Sequence, residues 1–136
     1  MRALRRVLYL QAGAWAVAGV VLAVAPGVAL AWFTDQRFGQ GDVWLRVLGI
    51  QTFGLALLMV LVAHRIDELW WWSWAFAFAS VLIAATVVLN LAFGLAPSES
   101  VVGWWLLAIS TVCFALGLLY GLFVSSRERP IPWEPP

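Results

Sequence analysis

The chain contains no lysine: its eight basic residues are all arginine, and charged residues fill only 11% of 136 positions. A typical soluble domain carries about 25% charged residues, so this chain cannot cover a water-facing surface with polar groups. Its formal net charge of +1 gives no electrostatic footprint for nucleic acid. One cysteine, Cys113, excludes an intrachain disulfide and any CxxC redox pair. It reads as a small residue packed between helices. One histidine, His64, is too few for bis-histidine haem or a zinc site, and reads as polar loop. There is no glycine-rich phosphate loop and no Ser/His/Asp or Cys/His set, so no catalytic residue and no metal ligand is assigned.

What the chain does have is hydrophobicity, 64% of residues with a mean hydropathy of +0.93. Four apolar runs, at about 7–25, 43–63, 69–95 and 103–124, each approach the roughly 20 residues that cross a bilayer's hydrocarbon. They are long, rich in Ala and Leu, and lack period-two alternation. Backbone groups in lipid must be satisfied within the segment, so each run is expected to be a helix. The fold class is therefore an all-α integral membrane four-helix bundle. A transmembrane domain covers 1–126 and a proline-rich tail, "RERPIPWEPP", fills the end from 127 to 136. That tail reads as an extended, solvated terminus.

Pro26-Gly27 interrupts the first run, and the short "VALAWF" that follows cannot cross again. It is expected to form an interfacial segment, a kinked and longer first helix being the competing description. "MRALRR" before an apolar stretch and "ALA" resembles a secretory signal, but the apolar region exceeds the usual h-region, which favours an uncleaved helix. Arg2, Arg5, Arg6, Arg65, Arg127 and Arg129 fall on one side of the four runs, leaving Arg37 and Arg46 on the other. The positive-inside rule then predicts both termini in the cytoplasm.

Helices in lipid associate by close packing, so small residues mark seams. Helix one has Ala12, Ala16, Gly19 and Ala23 on one stripe; helix four has Ser110, Cys113, Gly117 and Gly121. Gly49 and Gly54 lie on different faces of helix two, a pattern suited to two neighbours. Such seams serve a monomer or a homo-oligomer equally.

Polar residues inside a membrane segment carry a functional hypothesis by default. Arg46 lies just inside helix two with Asp42 one turn before it, and antiparallel packing would bring Asn90 of helix three to similar depth, with Thr86 one turn deeper. Asp42, Arg46, Thr86 and Asn90, with Gln51 a further candidate, are expected to line an outward-opening polar pocket. Its arginine would hold a carboxylate, a phosphate or a quinone carbonyl. The alternative is an arginine snorkelling to the headgroups beside an Asn bonded to a neighbouring backbone. All seven acids sit in loops or at helix ends, and no helix carries a continuous polar stripe, which disfavours a proton-coupled exporter and an ion channel.

The "ELWWWSW" run places Trp70, Trp71, Trp72 and Trp74 at the inner boundary; Trp32, Trp44, Trp104 and Trp105 fall at the outer one. Consecutive helical residues turn by about 100°, so the run fans around the helix and reads as an anchor rather than a cage.

An apolar first helix ending near proline ("AVAPGVALAWF"), then "WLRVLGIQTFGLALLMVLVAHR" with its early arginine and glycines, then two further apolar helices, resembles the small four-helix bacterial DoxX-like proteins. The resemblance covers about residues 7–124. It implies a membrane bundle that assists a respiratory or redox partner and handles a lipophilic molecule such as a quinone or lipid. The residues themselves make no cofactor evident. Two functions are expected: a non-catalytic accessory or assembly subunit of a membrane complex, or a lipophilic-ligand or quinone-binding redox helper. Membrane lipid and a membrane-protein partner are the contacts either would make.

Overall fold

The computed structural model describes residues 2–33, 42–94, 99 and 101–128, and 94% of these are helical. The long helices are α1 (Arg2–Val24), α3 (Asp42–His64), α5 (Trp72–Leu89) and α6 (Val101–Glu128), with short helices α2 (Pro26–Ala31) and α4 (Ile66–Leu69) between them. Four segments, Arg2–Val24, Val43–His64, Trp72–Gly94 and Val101–Arg127, are long and apolar enough to cross a membrane. Residues 1, 34–41, 95–98, 100 and 129–136 lie outside the described residues, as do the side chains of Asp42 and Glu128.

Helix ends differ from the apolar runs for identifiable reasons. At α1 the helix starts at Arg2 rather than near residue 7, and α6 continues to Glu128. Arginine is a good helix former, so the helix runs past the point where apolarity stops. α1 ends at Val24 because Ala25, the residue before proline, is pushed out of helical geometry to φ −133, ψ 62. Pro26 then opens α2 at the first helical position, where its missing N–H costs nothing. The first helix therefore ends rather than kinks, and α2 is a separate helix. The third run is also divided. Arg65, at φ −104, ψ 42, starts α4, and Trp70 and Trp71 form a turn before α5. At its far end α5 passes into a π-helical turn, Asn90–Gly94. Asn90 Oδ1 fills the space that a Cβ on residue 94 would occupy, which suits the glycine there.

α1 runs antiparallel to α3 along most of its length, and α6 packs on both α1 and α5. α3 and α5 touch little. Glycines set the close approaches. A Cβ on Gly49 would stand 2.5 Å from Ala23 N and 2.7 Å from Gly19 O, and one on Gly19 would stand 2.7 Å from Phe53 N. Gly121 holds Leu4, with the Leu4 Cα only 2.9 Å from where a Cβ would be, and Gly117 receives the Val7 side chain. Gly103 leaves no room for a Cβ beneath the Trp32 carbonyl. Ala12 is buried and Ala16 half-buried on the same helix. Gly54, by contrast, meets nothing within 4 Å, so it lies against no second neighbour.

The core sits toward the end where α1 begins and α6 finishes. Leu4 and Leu8 meet Met59, Ile66, Phe76 and Leu122 there, all almost fully buried. Large apolar side chains elsewhere on the long helices point outward. The same end carries the described ion pairs, Arg5 to Asp67 at 3.8 Å and Arg65 to Glu68 at 3.6 Å. Both are well exposed, and exposed pairs contribute about 0–1 kcal/mol. Arg127 lies over the Phe123 ring at 4.3 Å.

Candidate functional site

Besides two wholly apolar grooves between α5 and α6, three places bring polar groups or a cavity into the helical region. The first holds the residues singled out by sequence. Arg46 is exposed on α3, and its guanidinium donates a 3.3 Å hydrogen bond to the Ala23 carbonyl of α1. This carbonyl belongs to the last turn of α1, where carbonyls lack intrahelical partners and attract cations. Thr86 is exposed on α5, and its hydroxyl donates to the Leu82 carbonyl of its own helix at 2.9 Å. Asn90 is half-buried at the start of the π-helical turn, its Oδ1 lying over Gly94. Gln51 is exposed. Arg46 thus bonds to α1, while Thr86 bonds within α5, and no described hydrogen bond joins the two groups. The Asp42 side chain, and with it the pairing to Arg46, lies outside the described residues.

The second place was not singled out by sequence. Gln11 of α1 is 1% exposed and donates from Nε2 to Ser80 Oγ of α5 at 2.7 Å. Gln11 is nine residues into α1 and Ser80 eight into α5, roughly 12–14 Å along each helix. The bond therefore crosses the interior near mid-depth. Among the described residues Gln11 Oε1 is buried without a hydrogen-bond partner, as is Ser73 Oγ, two turns from Ser80 on the same face of α5. A signal was available: Gln11 is the lone amide in the first apolar run, and Ser73 and Ser80 are seven residues apart. The group consists of one amide and hydroxyls, which orient partners through hydrogen bonds.

The third place is a groove of about 520 Å³ between α1, α2 and α6. Ala14 and Ala18 contribute from α1, Trp32 and Phe33 from the residues after α2, and Leu107 and Ser110 from α6. Its volume falls in the roughly 300–1,000 Å³ range of small-molecule sites. Ser110 is its one polar side chain, and that hydroxyl is engaged by the Leu106 and Leu107 carbonyls at 2.7 and 3.1 Å. Beside it, the Trp104 ring meets Phe33 edge-on at 5.6 Å. Trp104 Nε1 is buried with no acceptor among the described residues.

The tryptophans divide. Trp32, Trp44, Trp71, Trp72, Trp74 and Trp105 are exposed. Trp70 instead packs against the core, and Trp104 is half-buried against Phe33. Trp70 and Trp71 keep helical dihedrals, and their carbonyls accept i→i+3 bonds from Ser73 N–H and Trp74 N–H, so the chain tightens to a 3₁₀-like turn between α4 and α5. Among the described residues, no three His, Cys, Asp or Glu side chains come together as a metal group. No family model, no curated protein and no solved structure matches this chain.

Proposed function

We propose that this chain is a non-catalytic four-helix bundle of the bacterial inner membrane, with both termini cytoplasmic, that acts as an accessory or assembly subunit of a membrane complex. One observation carries the reading. Gly19, Gly49, Gly103 and Gly121 are each closed over by a neighbouring helix or segment, whereas Gly54 of α3 and Gly13 of α1 have nothing within 4 Å of where a Cβ would stand. Open glycines on long apolar helices permit the close backbone approach that joins helices in lipid. The arginine distribution supports the orientation, and the order of features supports a DoxX-like type. Purification in mild detergent from the native host tests the proposal. Wild-type protein should co-purify with a second membrane chain, and Gly54→Leu should fold normally but lose it. Retention of that partner by Gly54→Leu, or a wild-type protein that purifies alone, would overturn the reading.

A second reading is a lipophilic-ligand or quinone-binding redox helper centred on Arg46 alone, since α3 lies along α1 and touches α5, which carries Thr86 and leads to Asn90, only slightly. Arg46 favours it, because a guanidinium beside the last turn of α1 can present further N–H donors to an anionic or carbonyl group. A retained quinone lost on Arg46→Ala would support this site, and a quinone retained equally by the variant would exclude it.

A further inference from the structure

The α3 helix has one face turned to the protein and one turned away. Its buried residues Gly49, Ala56, Met59 and Ala63 lie on one stripe, and Gly49 meets α1 at Gly19. At about 100° per residue, Val47, Gln51, Gly54, Leu58 and Leu61 fall on roughly the opposite side. Leu58 is half-buried against the core, and the other four are exposed. α3 packs along α1 and touches α5 little, so most of this outward face stands open.

Two features set the face apart from plain lipid-facing helix. Its residues follow one another at steps of four, three, four and three, the alternation by which two helices mesh side chains in a left-handed pair. Within it stands an amide at mid-depth. Gln51 is eight residues from Val43 and thirteen from His64, the ends of a membrane-length segment, or roughly 12 and 20 Å. That is too deep for its side chain to reach the headgroups, and no hydrogen bond to its amide occurs among the described residues. A polar group without a partner in hydrocarbon costs free energy that a facing helix can recover. Gly54, one turn on, has nothing within 4 Å of a Cβ position, so a second backbone can come close beside the amide.

The chemistry selects the occupant, because an amide is its own complement. It offers N–H donors and a carbonyl acceptor, and copies inserted in the same sense hold residue 51 at one depth. A two-fold axis along the membrane normal therefore sets the two Gln51 side chains against each other, each donating to the other. A chain of other sequence would need a polar group at matching depth; a second copy has it by symmetry.

We propose that two copies of this chain pair through the outward face of α3, as parallel helices with reciprocal Gln51 hydrogen bonds beside Gly54. The inference rests on the reading of Gly54 as an open packing position and names a second copy as its occupant. It is tested on the purified full chain, without host proteins, so a monomeric result leaves the co-purification test of the accessory role untouched.

Förster transfer between copies fused at the C-terminus to donor and acceptor fluorescent proteins, diluted in liposomes, reads the pairing. The wild type should self-associate, and Gln51→Leu should raise the dimer dissociation constant about tenfold. A wild type that stays monomeric, or a Gln51→Leu that pairs as tightly as wild type, would overturn the proposal. Cross-linking checks the face in a Cys113→Ser background. Val47→Cys and Leu61→Cys should give disulfide-linked dimers on oxidation, whereas Leu57→Cys, exposed about a quarter turn away, should not. Linkage as strong at Leu57→Cys as at Val47→Cys would overturn the choice of face.

Discussion

The α1–α3 seam allows a sharp comparison between two glycines five residues apart. At Gly49 an added methyl would lie 2.5 Å from Ala23 N and 2.7 Å from Gly19 O, and ordinary contact begins at 3.4 Å. Both obstacles are backbone atoms, so no side chain can swing aside. The helices must separate locally by nearly an ångström. A gap of that size forfeits about a quarter to a half of each contact of ~0.1–0.2 kcal/mol. Over on the order of 30 atom pairs along this seam, the loss is about 1–2 kcal/mol, within the range measured for overpacked cores. At Gly54 nothing stands within 4 Å, so Gly54→Ala meets no obstacle and gains up to ~1 kcal/mol of helix propensity. The propensity gain is shared by Gly49→Ala, also inside α3, and cancels in the comparison. Reversible unfolding in mixed SDS–detergent micelles, followed by circular dichroism, should therefore separate the two variants by about 1–2 kcal/mol, with Gly49→Ala the less stable. Equal stabilities within ~0.5 kcal/mol would refute the reasoning, because the close approach of α1 and α3 would then not exist in the membrane protein. Gly19→Ala combined with Gly49→Ala should cost less than the sum, since one separation relieves both clashes.

Replacing Gln11 by Leu removes the α1–α5 hydrogen bond, but Ser80 can turn its hydroxyl to its own helix as Thr86 does with Leu82. Such bonds in membranes average about 0.6 kcal/mol and reach about 1.7, so the variant should lose no more than that in the same unfolding assay; a loss above ~3 kcal/mol would mean that Gln11 holds more than Ser80. Topology is checked in a Cys113→Ser background, where Trp44→Cys should react with an impermeant maleimide from outside intact cells and Glu68→Cys only after lysis. Labelling of Glu68→Cys in intact cells would reverse the orientation.

The four long helices were legible in the sequence because length and apolarity alone select them, and Pro26 marked where α1 stops. What sequence could not supply was which faces meet. Chain order suggested α3 against α5, since consecutive elements are usually neighbours. The glycine contact at Gly19 and Gly49 instead holds α3 along α1, and the short α4 joins α3 to α5 near their shared end. That is why Arg46 reaches Ala23 rather than the Asn90 region. Gly49 and Gly54 look alike in sequence, yet one is enclosed and the other open, a difference set by the partner helix. Trp70 shows the same limit at a boundary: composition assigned it to an aromatic belt, and in the structure it packs against the core. Gln11 was readable as a lone amide, but its meaning depended on Ser80, 69 positions away.

The position of the core has a consequence for synthesis. Its innermost residues come from both extremes of the chain, Leu4 and Leu8 from the first helix and Leu118 and Leu122 from the last. Chains emerge N-terminus first, at about 5–20 residues per second. The α1–α3 hairpin is complete once residue 64 has been made, and its glycine seam can close while the ribosome is still at work. The core must wait for the final turns of α6. Until then Leu4 and Leu8 lack their partners from the last helix, so a ribosome stalled before residue 118 leaves a membrane-inserted but unfinished protein, exposed to quality-control proteases.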